Sequence, residues 1–287
     1  MCSPKVAHIV RERIEKEGKP TFSRRSLLRL GGVTAGAAAL SSLMPAAARA
    51  QEATPEAAAS GSVVDLTHVF GTDIPTYLVD EKPQRETFVS VEENGFYIQR
   101  WTFTEHASTH VDIPAHFIAG AETVDVYDAA LLVSPIVVID ISERAAADPD
   151  TALSVADIEA YEAANGQIPA GAVVALYSGW DARWSDPIAF RNADADDVQH
   201  YPGFSPEAAA FLLTERDIHG IGVDTLSLDP GNSTTFDVHV AVLGAGKYGI
   251  EGLNNLAELI GRPATVFVGV PRWEAGSGGP ARVLAVV

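Results

Sequence analysis

Seven short runs rich in β-branched and aromatic residues set the frame of this chain: 63–66, 96–103, 135–141, 172–177, 218–223, 264–270 and 282–287. Runs of this length and composition read as strands. Helical signals lie between some of them. Ser154, with Asp157 three residues later, has the form of a capping box, and Gly166 closes that helix. Ser205-Pro206-Glu207 opens a second helix reaching to about Arg216, with proline at its first position. A third helix is expected over 250–260. There is no internal repeat and no glycine-rich phosphate loop. Strands and helices mixed in this way predict one α/β domain, and not a nucleotide-binding one.

The first fifty residues differ in kind. Ser23-Arg24-Arg25-Ser26-Leu27-Leu28-Arg29 is a twin-arginine pattern, and a small, apolar stretch follows over 30–44. Pro45 and then Ala48-Arg49-Ala50 make a small-x-small cleavage site. Residues 1–50 are therefore expected to be a twin-arginine export signal, sending the protein to the periplasm or the medium. The apolar stretch is short and rich in Gly, Ala and Ser, too weak for a stable membrane anchor. Residues 51–61 read as a flexible linker, and 62–287 as the folded domain.

Charge narrows the partners. The formal net charge is −18, and residues 1–50 hold nine Lys/Arg against three Asp/Glu, which leaves 11 basic and 35 acidic residues after cleavage. Lys and Arg do not cluster in the body, so a nucleic-acid-binding stripe is excluded as a reading. Such a surface stays soluble and repels anionic polymers. The single cysteine, Cys2, lies in the signal, so the mature chain forms no disulfide.

The chemistry concentrates in Glu105-His106-Ala107-Ser108-Thr109-His110-Val111-Asp112-Ile113-Pro114-Ala115-His116-Phe117. Three of the eight histidines fall within eleven residues of it. Imidazole and carboxylate are good ligands for zinc and manganese. Pro114 argues against a helix, because it removes an internal hydrogen bond. His110 and Asp112 are two apart, so on a strand they point to one face, and His106 and His116 arrive from its two ends. Downstream, His239 and Glu251 lie twelve apart. By themselves they read as a satisfied core histidine and a helix-start cap.

At these residues the sequence resembles the cyclase family, which includes bacterial kynurenine formamidases and isatin hydrolases. The family signature H-x-G-T-H-x-D-x-P-x-H stands here as 106–116, with Ser108 in place of glycine. That departure touches the local turn and the room beside the metal but removes no ligand. Asp65-Leu66-Thr67-His68, Ser178-Gly179-Trp180, Tyr201-Pro202-Gly203-Phe204-Ser205 and the run from Gly222 to Asp229 resemble further family elements, in the family's order. So do His239, Glu251 before Leu253-Asn254-Asn255-Leu256, and the closing Ser277-Gly278-Gly279-Pro280-Ala281-Arg282. The likeness covers most of 62–287. It implies a compact α/β fold with a mixed, barrel-like sheet and flanking helices, of the swivelling β/β/α kind, in a homodimer or homotetramer.

The resemblance also implies a reaction: metal-dependent hydrolysis of an amide or lactam C–N bond in a small, aromatic molecule, with one or two Zn²⁺ or Mn²⁺ ions. His106, His110 and Asp112 would form a first metal site, and Asp112, His239 and Glu251 would help hold a second ion. His116 would shuttle the proton needed by the departing nitrogen, near or on that second ion. Alternatives at the same metal are lactone opening and cyclisation or dehydration; a different class is a periplasmic binding protein without turnover. Ser108 and Thr109 are candidates for substrate hydrogen bonds or for a strand-turn role. Asp224, Ser227 and Asp229 read as structural, and Phe70, Tyr77, Phe96 and Trp101 as a pocket wall or as core. No G-x-S-x-G elbow supports a serine nucleophile.

The export reading has a direct check. Changing Arg24 and Arg25 together to Lys should hold the precursor in the cytoplasm, as seen by cell fractionation. Mature double mutant outside the inner membrane would exclude the twin-arginine route.

Overall fold

A strand that is apolar on both faces has to be covered from both sides. The computed structural model, which describes residues 61–287, places such strands at the centre of its main sheet. The expected export signal (1–50) and residues 51–60 of the expected linker lie outside the described residues. In chain order the strands are β1 (Val63–Asp65), β2 (Gln84–Val89), β3 (Ile98–Thr102), β4 (His110–Asp112), β5 (Val133–Asp140), β6 (Ala152–Leu153), β7 (Val173–Tyr177), β8 (Gly203–Phe204), β9 (Gly220–Val223), β10 (Tyr248–Glu251), β11 (Ala264–Gly269), β12 (Gly278–Pro280) and β13 (Arg282–Val286). The α-helices are α1 (Val91–Asn94), α2 (Ser142–Ala147), α3 (Val155–Asn165), α4 (Pro187–Arg191), α5 (Pro206–Glu215) and α6 (Asp237–Gly244).

The chain divides into two units: among the described residues, the smaller holds 85–100 and the larger 61–84 and 101–287. In the smaller, β2 and β3 make a two-stranded ribbon joined by α1. Arg100 pairs with Glu86 at 2.6 Å and lies over the Phe88 ring. β2 escaped the sequence reading because it is exposed along nearly its whole length and lacks an apolar face.

In the larger unit nine strands form one sheet in the order β1-β13-β11-β5-β7-β9-β10-β4-β12, curled as a half-barrel. The centre, β5-β7-β9-β10, is parallel, and both flanks are antiparallel. One face buries Ile136, Val138, Val173 and Ala175 against Leu253, Leu256 and Val266. The other buries Val137, Val174, Leu176 and Ile221 under α3, α5 and α6, through Ile158, Leu212 and Val242. Fully burying each such side chain contributes ~1.5–3 kcal/mol.

The helix expected over 250–260 is not formed. Tyr248–Glu251 is strand β10, followed by a single 3-10 turn at Leu256–Leu259. Ile250 is wholly buried between β9 and β4, and Gly252 at φ 62° breaks the chain direction directly after it. Ile250, Leu253, Leu256 and Leu259 instead belong to a strand end and a tight turn facing one core. Helix α6, conversely, was missed. Most of it is apolar, and its N-cap position, Phe236, makes no side-chain cap bond.

The capping box is as read. Asp157 accepts from the Ser154 backbone at 2.8 Å while Ser154 Oγ accepts from Asp157 N at 3.3 Å. Arg144 adds a bidentate pair to Asp157 at 2.9 and 2.8 Å. Partial burial opposes charge on Asp157, but the bonds from Arg144 and Ser154 outweigh it and lower its pKa to about 2. A depressed carboxylate stabilises the fold above its unfolded pKa, and the contribution fades as pH falls through the folded value. Asp157→Asn should therefore cost about 1 kcal/mol at pH 7, a figure kept small by solvent screening. That gap to wild type should close between about pH 4 and 2, measured by urea unfolding. A gap that holds constant over this range would refute the assignment.

Candidate metal centre

The centre is built on β4, a strand of three residues with β10 on one side and β12 on the other. The two-residue period puts His110 and Asp112 on one face. Antiparallel register sets Glu251 opposite His110 and Gly249 opposite Asp112, so Glu251 joins that face. On the other side Gly278 faces Asp112. A Cβ at Gly278 would run into the Val111 carbonyl of β4 and lie 2.8 Å from His106 Cε1, so the bare glycine lets β12 close on β4 and leaves room for His106 beside it. Pro114 opens a 3-10 turn, Pro114–His116, that carries His116 back onto His106, with ring centroids 3.6 Å apart. His239 comes from the first turn of α6. Asp229, in the loop that leads into that helix, caps it, accepting from Val238 N at 2.8 Å and His239 N at 3.1 Å.

Three imidazoles have their far nitrogens tied to acceptors. His110 Nδ1 donates to the Ser108 carbonyl at 2.9 Å. His239 Nδ1 donates to Asp229 Oδ2 at 2.6 Å. His106 Nε2 meets Ser277 Oγ at 2.9 Å, and Ser277 Oγ in turn donates to Glu105 Oε2 at 2.7 Å. These partners assign the tautomers and leave the near nitrogens as lone pairs. Each lone pair faces a carboxylate: His106 Nδ1 is 2.6 Å from Asp112 Oδ1, His239 Nε2 is 2.9 Å from Glu251 Oε1, and His110 Nε2 is 3.3 Å from Asp112 Oδ1. Two acceptors this close repel unless a proton or a cation lies between them.

The donor set fits a divalent ion. His106, His110 and Asp112 form one group whose ligand atoms lie within 4.8 Å of one another, and Asp112, His239 and Glu251 form a second. Asp112 is fully buried, and its Oδ2 has no hydrogen-bond partner. His239 Nε2 stands 3.4 Å from that oxygen, an electrostatic contact without hydrogen-bond geometry. Burial opposes charge on all these groups. For Asp112 the nearby His110 charge and the histidine hydrogen bonds win and hold it well below the usual carboxylate range. For His110 the Asp112 charge and hydrogen bond win and raise it to about 9. His239 is raised well above the ordinary imidazole value by the carboxylates beside it, Asp112, Asp229 and Glu251. Carboxylates that draw protons onto their imidazoles in this way bind a divalent cation in place of those protons.

His116 stands outside both groups. Burial lowers its pKa to about 4. It lines a cavity of about 300 Å³ over the cluster, together with Tyr77, Phe117 and Phe236. Phe117 stacks on His239 at 4.7 Å. Of the aromatic residues singled out in the sequence, only Tyr77 lines this cavity. Phe70 and Trp101 pack edge to face at 5.4 Å beside a different one, and Phe96 belongs to the smaller unit. Thr109 is structural: its Oγ1 accepts from His68 N and donates to the Gly252 carbonyl. Asp224 is structural too, accepting from Ser178 and the Trp180 backbone, with burial raising its pKa to about 6. Asp229, read from the sequence as structural, braces His239, and Glu105 and Ser277 were given no role there. Glu105 and Ser277 stood inside quoted motifs, but nothing in their spacing tied them to His106.

The chain is similar to known proteins over most of its described residues. The Cyclase family model matches residues 64–230, which takes in 106–116 and stops short of His239 and Glu251. An isatin hydrolase from Roseibium aggregatum is 34% identical over 242 residues, covering 78% of this chain and 91% of that protein. A kynurenine formamidase from Bacillus cereus is 24% identical over 197 residues, 67% of this chain and 81% of its own. The structure of isatin hydrolase A from Ralstonia solanacearum superposes with a TM-score of 0.75 at 35% identity, covering 79% of this chain and 92% of that one. The chain belongs to the cyclase family.

Proposed function

We propose that the protein hydrolyses an amide or lactam C–N bond in a small aromatic molecule, with His116 as proton carrier. Its standing as a metal-dependent hydrolase of non-peptide C–N bonds rests on the isatin hydrolase and kynurenine formamidase relatives. The observation that carries the reading is the set of three imidazoles, each pinned at its far nitrogen and each presenting a lone pair beside Asp112 or Glu251.

His106, His110 and Asp112 are the ligands proposed for a first ion, and Asp112, His239 and Glu251 those for a second. Mixed nitrogen and oxygen donors suit Zn²⁺ or Mn²⁺. When bound, such an ion polarises an amide carbonyl and acidifies water. In the hydrolysis a water oxygen bonds the carbonyl carbon, and the C–N bond breaks with its electron pair on nitrogen. The imidazole of His116 takes a proton from the water and gives it to that nitrogen. Tyr77, Phe117 and Phe236 hold an aromatic ring over the cluster and exclude bulk water. Asp229 positions His239 through the 2.6 Å bond to Nδ1. Twin-arginine export and a homodimeric or homotetrameric state belong to the same proposal, on the sequence pattern and the family resemblance.

Three measurements test the reading. Chelation should abolish amide or lactam hydrolysis, and adding back Zn²⁺ or Mn²⁺ should restore it. Asp229→Asn should weaken metal affinity by about 10–100-fold, because it removes the carboxylate that orients a ligand. Full activity in protein shown metal-free by elemental analysis would sink the metal role. For His116→Ala, folded and still metal-loaded, kcat should fall about 10²–10⁴-fold. Wild-type turnover there would remove the shuttle, and loss of all metal would make His116 a ligand instead.

A further inference from the structure

The cavity over the metal-suited cluster has a lopsided charge. Its walls away from the histidines include Tyr77, Leu78, Phe117, Leu226 and Phe236, and none of the described residues lining it is Lys or Arg. One lining residue outside the metal-suited groups is charged at neutral pH, and it is Glu81. Glu81 is half-buried, on the same segment that brings Tyr77 and Leu78 to the cavity. Cations near this segment are already committed. Lys82 pairs with Asp73. Arg191 donates from Nε to the Tyr77 carbonyl at 3.2 Å and is held by Asp197 through bonds of 2.6 and 3.1 Å.

A carboxylate entering such a cavity sheds water and finds no guanidinium or ammonium to replace it. It also meets the field of Glu81 between apolar walls, where charge is poorly screened. A single bound ion does not cancel this. With one divalent ion at the cluster, Asp112 and Glu251 together match its double charge, so the Glu81 charge is left over. Amide hydrolysis also generates a carboxylate, and the same field drives that product out.

We propose that Glu81 is a charge filter: it restricts the site to neutral aromatic amides and lactams without a carboxylate, and it hastens release of the anionic product. The proposal rests on the hydrolase reading above and adds the substrate class and the residue that sets it. Glu81 acts on charge, not on ring shape, so matched molecules that differ only in charge expose it.

The experiment uses the mature protein loaded with one equivalent of Zn²⁺ or Mn²⁺. Calorimetry measures the Kd of 2-aminobenzamide and 2-aminobenzoate, which are near-isosteres. Turnover is followed on 2-formamidobenzamide and 2-formamidobenzoate, with KM and kcat separated. Wild type should favour the neutral member by about ten-fold or more, and the preference should shrink as salt is raised. Glu81→Gln should bring the two Kd values close together, and Glu81→Lys should reverse their order. The ratio is taken within each variant, so a general loss of stability does not imitate the effect. Equal affinities in wild type, or a ratio that neither variant moves, overturn the filter. Equal hydrolysis of acid and amide also overturns the filter and leaves the hydrolase reading standing. A metal-loaded wild type that neither binds nor hydrolyses any neutral amide or lactam overturns both.

Discussion

Asp112 is a carboxylate with no exposure to solvent, and an unpartnered charge so placed costs several kcal/mol. Much of the local architecture supplies its compensation. Three histidines converge on it from a loop, from its own strand and from a helix. One of its oxygens has no hydrogen-bond partner within the protein, so it is free to serve as a cation ligand. Replacing any single partner would leave charge uncompensated, so the cluster behaves as a unit and not as a sum of pairs.

That unit dictates features that look unrelated to it. Gly278 is bare because the β4 backbone at Val111 and the His106 ring both press on it. Asp229 caps α6 from the loop that leads into it, and the same carboxylate fixes the tautomer of His239. One side chain therefore satisfies orphan amides at a helix N-terminus and orients a prospective ligand. Ser108 sits at φ 64° with its hydroxyl unpartnered, while its carbonyl holds His110. A non-glycine residue in that region carries backbone strain of order 1 kcal/mol, tolerated here beside the reacting centre.

The sheet gives this cluster a rigid floor. Its parallel centre is buried on both faces, and the antiparallel flank of β10, β4 and β12 extends from it without a break. A short strand such as β4 has little stability of its own and takes its position from hydrogen bonds on both sides. The histidines are thus held by the core, while the aromatic walls and Glu81 come from loops and element ends that vary more freely.

Local physics made much of this legible in advance. The strand period put His110 and Asp112 on one face, Pro114 ruled out a helix there, and Ser154 with Asp157 marked a helix start that formed as read. Each depends on a few neighbouring residues and on backbone geometry that every chain shares. Residues 250–260 were misread because apolar spacing does not separate a buried strand and tight turn from a helix; burial between β9 and β4 decided it. The family resemblance set His239 and Glu251 beside Asp112, but the bracing of their cluster by Asp229 and Ser277 was beyond the sequence by itself. Which distant strands pair, and in what register, is set by the burial of the whole core, and only the folded chain settles that sum.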